Sequence, residues 1–188
     1  RNIGGAAAQA DLLAFTDQDD LPAPGWLAAM FTALVGSADA AGGFVVRTPD
    51  GYPPAADRNE LPAHDRLLLR WHGIDCAIGT NFAVHRNVFA AIGGWQDVNE
   101  IHAGEDIDIC IRLQEKGYRL TYVPGARVTW RSRSGLRNIW RQAFVYGRCD
   151  VQLYVRYRRR LQLRRSGRLM LRKCRQALHS LSGLFHTP

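Results

Sequence analysis

Short apolar runs along the chain are separated by polar breaks. Leu12–Phe15 (LLAF) is a continuous apolar run of strand length, as in a strand buried on both faces of a sheet. Asp17, Asp19 and Asp20 follow it at once, and Pro22 and Pro24 break the chain behind them. The Ala- and Gly-rich residues 2–10 predict a tightly packed helix, and GWLAAMFTALV predicts a helix starting near Trp26. GGFVVRT (Gly42–Thr48) predicts a second strand. The loop PDGYPPAADRNELP follows it, and residues 63–72 have a helical pattern. GTNFAVHRNVFAAIGGW predicts a strand, a helical turn ending at Gly93–Gly94, and an exposed aromatic, Trp95. GEDIDICIRLQEKG predicts a helix with acids in its first turn and Lys116–Gly117 as its stop, and YRLTYVP a last strand. From Ser134 on, Leu136, Ile139/Trp140, Ala143/Phe144, Gly147, Val151 and Tyr154/Val155 recur at helical spacing with arginines between them. Strands alternating with helices predict an α/β domain with a partly parallel sheet.

Charge divides the chain in two. Its 188 residues suffice for one domain with a real core, and 46% hydrophobic residues argue against global disorder. Residues 1–126 hold 9 Lys+Arg against 16 Asp+Glu, a net −7, whereas residues 127–188 hold 16 Lys+Arg against Asp150 alone, a net +15. An acidic body thus carries a basic tail, and the two need separate explanations. Cys76, Cys110, Cys149 and Cys174 are widely spaced with no C-x-x-C pair, which predicts reduced, mostly buried thiols in a cytosolic protein and no zinc site. No apolar run approaches the ~18 residues of a membrane-spanning helix.

The acids carry the candidate chemistry. In an extended segment residues i and i+2 share a face, so Asp17 and Asp19 converge while Gln18 turns away. Carboxylates at the carboxyl end of a strand lie where open α/β sheets bind ligands. Unpaired, they repel each other, and a divalent cation resolves the conflict. Mg²⁺ in particular is held by one or two carboxylates plus substrate phosphates. The competing account is an Asp-rich turn that caps the following helix. An EF-hand loop from Asp17 requires Gly at its sixth position and Glu at its twelfth, where this chain has Pro22 and Ala28. A magnesium-dependent phosphatase with an aspartyl nucleophile is a further alternative, although Leu21 departs from the D-x-D-x-T/V pattern usual for that class. At the second acidic site, Glu105–Asp106 opens a helix whose dipole favours ionised carboxylates. Either residue is a candidate general base or a cap, and an Asp108–Arg112 i,i+4 pair accounts for Asp108.

Taken in order, RNIGGAAAQADLLAFTDQDD, GTNFAVHRNVFAAIGGW, GEDIDICIRLQEKGYRL and GLRNIWRQAFVYGR resemble the family 2 glycosyltransferases over most of residues 1–150. The resemblance implies a GT-A-like, Rossmann-related, mixed and mostly parallel sheet flanked by helices. It also implies an inverting transfer from a nucleotide-sugar donor with a divalent metal, Mg or Mn. Asp19 is then the direct metal ligand, with Asp17 holding ribose or metal and Asp20 as a supporting acid. The separation of 87 residues from Asp19 to Asp106 fits the family, in which the Asp of the E-D pair is the base. Glu105 then positions the acceptor or the base. Gly79, Thr80 and Asn81 line the cleft near the donor sugar, and Trp95 and His102 face the acceptor. The resemblance further implies that the chain lacks the family's N-terminal nucleotide-binding half, and RVTWRSRSG lacks the metal-binding His that many relatives carry. Residues 1–130 are expected to be the later part of the transferase domain, and residues 131–188 a basic helical extension.

That extension has the make-up of a helix lying on an anionic membrane, with aromatics at headgroup level and arginines around them over residues 131–175. Such a helix suits a saccharide or lipid-linked acceptor at the cytoplasmic face of a bacterial cell membrane. The rival accounts are a helix packed back on its own domain and a non-catalytic nucleic-acid or membrane module. No RNP, helix-turn-helix or zinc-finger pattern supports nucleic-acid binding.

Overall fold

A computed structural model describes residues 1–48, 67, 69–96, 103–131 and 135–162. Along the chain run α1 (Asn2–Ala7), β1 (Leu12–Phe15), β2 (Leu21–Pro22), α2 (Trp26–Gly36), β3 (Ala40–Thr48), β4 (Leu69–Trp71), β5 (Ile74–Cys76), β6 (Phe82–His85), α3 (Arg86–Ala91), α4 (Glu105–Glu115), β7 (Leu120–Arg131) and α5 (Leu136–Tyr157).

Five strands form one sheet in the order β1-β6-β3-β7-β2. It is mixed, as expected, but among the described residues it is not mostly parallel: β3 and β7 pair in parallel, while β1–β6, β3–β6 and β2–β7 are antiparallel. An apolar run reports burial, not direction, so the sequence pattern carried no information on this point. Among the described residues β1 pairs with β6, and along it Leu13 is buried while Ala14 is exposed.

Alternation along the strands builds two cores. Ala40, Phe82 and Val84 point to the larger one, beneath α3, α4 and α5, with Ile109, Ile111 and Leu113. Ala41, Ala83 and Ala126 point the other way, against Met30 and Leu34 of α2. Small residues on that face let α2 lie close to the sheet. Cys76, Cys110 and Cys149 are free, buried thiols, as expected, while Cys174 lies outside the described residues.

The helical pattern over 63–72 is corrected where it is described: residues 69–71 are β4, hairpinned to β5. Its turn is His72–Gly73, with φ of 47° and 94°. Positive φ at both central residues is the type I′ arrangement that matches strand twist, and it overrides the helix-like spacing of the leucines. The strand expected to end at Val123 continues through Pro124 to Arg131. Pro124 is tolerated because β7 bulges there, the register jumping from Gly43↔Val123 to Phe44↔Arg127.

Asn81 fills that bulge. Its side-chain amide donates to the carbonyls of Phe44 (3.0 Å) and Ala126 (2.9 Å), and its Oδ1 accepts the Trp26 indole N–H at 2.8 Å. Gly43 has to be glycine beside it, because a Cβ would lie 2.2 Å from Ala126 O and 2.4 Å from Asn81 Nδ2.

α5 belongs to the domain core on one side. Cys149, Leu153 and Tyr157 are buried in the larger core, and Cys149 and Leu153 lie over Gly104, the residue preceding α4. Gly104 takes φ of 83°, and a Cβ there would stand 2.1 Å from Cys149 Sγ. Among the described residues no helix is long and apolar enough to cross a membrane.

Candidate active site

Two acidic groups come together at the carboxyl end of β1, joined through Arg1. The chain turns at Asp17–Asp20, closed by the Asp20 N–H donating to Asp17 O at 3.2 Å. Asp19 is exposed at the tip, Asp17 is half-buried, and Asp20 is buried. Thr80 anchors this turn from the β5–β6 connection. Its Oγ1 accepts the Asp17 N–H at 3.3 Å, and its hydroxyl donates to Asp20 Oδ2.

The E-D pair opens α4 on the other side. Asp106 Oδ1 accepts the Ile107 N–H at 2.9 Å, and the Gly79 N–H also bonds the carboxylate. Burial and the neighbouring Glu105 charge push the Asp106 carboxyl up from 3.8 to about 6, against the lowering effect of those two N–H groups and of Arg1. The sequence motifs therefore meet. Thr80 of G-T-N bonds Asp17 and Asp20 of the D-x-D turn, the Gly79 N–H bonds Asp106 of G-E-D, and Arg1 joins Asp17 to Glu105.

The linking residue was not picked out from the sequence. Arg1 Nη2 pairs with Asp17 Oδ1 at 2.5 Å, and its Nη1 pairs with Glu105 Oε1 at 2.9 Å. It stands beside α1, far from both acids in sequence, so only its type hinted at an ionic partner.

The other candidates fall in different places. Gly79 and Thr80 line the join between the two acidic groups, whereas Asn81 is fully buried in the β3–β7 bulge. Trp95 is buried, at 7% exposure, and not the exposed aromatic expected. Its indole stands edge-on to Phe15 and Phe82 at 5.4 and 5.5 Å, because the Gly93–Gly94 turn directs it into the core. His102 lies outside the described residues. Asp108 faces away from the cleft and is fully buried. Arg112 Nε donates to it at 2.7 Å and the Tyr157 hydroxyl at 2.5 Å.

No group of three or more His, Cys, Asp or Glu side chains is placed to hold a metal among the described residues. Asp17, half-buried, and Asp19, exposed at the tip, are the two carboxylates of this turn that would face a hard divalent cation, which takes one or two carboxylates and draws its remaining ligands from phosphate and water.

This mixed sheet flanked by helices, with an acid turn near the acid-bearing first turn of α4, has the make-up of a GT-A-type fold. Residues 72–186 match the family described as Glycosyl transferase family group 2, and residues 1–93 match Glycosyl transferase family 2. The chain belongs to the family 2 glycosyltransferases. It is 31% identical over 171 residues to the pre-mycofactocin glycosyltransferase of Mycobacterium tuberculosis, covering 84% of this chain and 34% of that protein. A probable glycosyltransferase of Bacillus subtilis is 32% identical over 89 residues, covering 47% of this chain and 20% of its own length. The chain thus spans about a third or less of these curated relatives. Among solved structures, GalNAc-T7 with UDP, GalNAc and Mn2+ matches with a TM-score of 0.53 and 19% identity, over 71% of this chain and 30% of that one, a likeness of fold.

Proposed function

We propose that this chain carries the diphosphate-binding and base-bearing part of an inverting glycosyltransferase that moves a sugar from a nucleotide-sugar donor to a hydroxyl acceptor. The observation that carries this reading is the meeting of the Asp17–Asp20 turn and the Glu105–Asp106 helix start across one cleft, bridged by Arg1. Asp106 takes the proton of the acceptor hydroxyl as that oxygen bonds to the anomeric carbon, and the bond from that carbon to the diphosphate oxygen breaks. A carboxyl near 6 is matched to the task, being ionised at neutral pH yet basic enough to accept a proton. Asp17 and Asp19 hold Mg²⁺ or Mn²⁺ in this reading, and the ion supplies charge neutralisation on the departing nucleoside diphosphate. Glu105, held by Arg1, keeps its place beside the base.

The acceptor we propose is a growing polysaccharide or a lipid-linked sugar at the cytoplasmic face of a bacterial membrane. α5 supports it. Its outer side exposes Leu136, Trp140, Phe144, Val151 and Val155 in one stripe, flanked by exposed Arg137, Arg141 and Arg148. That arrangement suits a helix lying in an anionic headgroup layer, and it predicts vesicle binding that weakens as salt rises.

Titrating UDP, GDP and dTDP calorimetrically into the full-length protein, with and without Mn²⁺, tests the donor side. Metal-dependent binding of one nucleotide, abolished by Asp19→Ala, is expected. Nucleotide binding indifferent to both the metal and Asp19 would overturn the clamp.

A further inference from the structure

One cation is built into the cleft between its two acidic motifs. The Arg1 guanidinium, still partly exposed, has four neighbours: Asp17 Oδ1 at 2.5 Å, Glu105 Oε1 at 2.9 Å, the face of the Trp95 ring at 4.8 Å from its centroid, and the backbone of Gly79. Gly79 makes the space, since a Cβ there would lie 2.9 Å from Arg1 Nη1. Three of the sequence motifs thus converge on this side chain, which gives Gly79 and Trp95 a shared purpose. Burial works against its charge, but the Asp17 hydrogen bond and the fields of Asp17, Glu105 and Asp106 prevail and raise its pKa.

We propose that Arg1 is a positioning residue that serves as the cleft's own cation, holding Asp17 and Glu105 in place without metal and surrendering Asp17 when a divalent ion arrives. The proposal rests on the reading of Asp17 and Asp19 as metal-facing carboxylates. Asp17 Oδ1 is already occupied by a guanidinium nitrogen, and a divalent ion that needs carboxylate oxygens at about 2 Å competes with it for charge and space. The Glu105 pair uses the other guanidinium nitrogen and survives the exchange, so Glu105 stays beside Asp106 throughout.

The test is calorimetric titration of Mn²⁺ alone into the full-length protein and its Arg1→Gln, Arg1→Lys and Asp19→Ala variants. Arg70→Gln, which frees Asp75 on the β4–β5 hairpin, is the charge-matched control. Arg1→Gln is expected to bind Mn²⁺ roughly fivefold tighter than the parent, the scale of losing one partly exposed ion pair. Arg70→Gln should match the parent. Arg1→Lys should fall between parent and Arg1→Gln, because an ammonium group cannot span both carboxylates with a planar fork. Mn²⁺ bound no tighter by Arg1→Gln than by Arg70→Gln overturns the proposal. If Asp19→Ala abolishes binding in that same experiment, the metal reading survives without it. Mn²⁺ binding that is absent throughout, or unchanged in Asp19→Ala, overturns both. Should Arg1→Gln fail to fold, Arg1→Lys decides: tighter binding than the parent supports the competition, and equal or weaker binding refutes it.

Discussion

Asp106 and Asp108 lie two residues apart on the same helix and live in opposite worlds. Two residues along an α-helix turn by about 200°, so one carboxylate faces the cleft while the other faces the core. Asp106 has two N–H partners, a like-charged neighbour and a raised pKa. Asp108 is fully enclosed and neutralised: Arg112 and Tyr157 bind it directly, and Arg156 stands 3.7 Å away. Burial and the Asp108 hydrogen bond push the Tyr157 hydroxyl up, which keeps it a donor. Arg112 also donates to the carbonyls of Ile92 and Gly94, the latter at 2.8 Å, so it pins the Gly93–Gly94 turn to α4. A carboxylate left short of partners is available for chemistry, and a saturated one holds three segments together. The difference lies in what each face of the helix meets.

Swapping charge for amide at each position should therefore break different properties. Asp106→Asn should lower sugar transfer by roughly 10²–10⁴-fold, measured in the full-length protein, with the fold retained. The same variant gives a stability sign. The folded chain holds the Asp106 proton more tightly than the unfolded one, so this group's stabilising contribution is complete below pH 4 and is lost as pH rises towards 6. Asp106→Asn should thus be no less stable than the parent at pH 7, read by urea unfolding. Asp108→Asn should do the reverse. It leaves Arg112 buried without its charge partner and should cost about 3–5 kcal/mol in the same unfolding experiment.

A smaller effect tests the support behind the helix start. Gly104→Ala forces a Cβ against Cys149 and occupies a left-handed backbone, and should destabilise by about 2 kcal/mol, with thermal unfolding as the readout. The subtlest change concerns the acid limb of kcat/KM. It should fall tenfold per pH unit below about 6 in the parent and move to lower pH in Glu105→Gln, which removes the like charge that helps raise Asp106. An unmoved limb would detach it from Asp106.

Local chemistry was readable and distant chemistry was not. The helix opened by Glu105–Asp106 and the Asp108–Arg112 pair follow from spacings of a few residues, and the structure places each where the pattern indicates, whereas Asp17–Asp20 form a closed turn in place of the extended segment expected behind β1. The His72–Gly73 turn also had a signal in its sequence, but the leucine spacing before it suggested a helix. Other features depend on partners that no periodicity reports. Arg1 reaches Glu105 across 104 positions and Tyr157 reaches Asp108 across 49. Asn81 looked like a cleft residue from its motif, yet its amide is used up by the β3–β7 bulge, which forms only once both strands are in place. α5 showed its exposed stripe in the sequence but hid its second, core-facing side, because Cys149, Leu153 and Tyr157 stand among arginines.

The parallel pairing of β3 with β7 has a cost in time. Ala40 meets Leu120, so a strand at the centre of the sheet finds that neighbour 80 residues later in the chain. At about 5–20 residues per second of synthesis, β3 waits roughly 4–16 s after leaving the ribosome before that edge is covered. Its other neighbour, β6, is also made later than β3. Throughout that interval Phe44, Val45 and Val46 form a nascent strand with open backbone groups, the kind of segment that chaperones recognise and aggregates recruit.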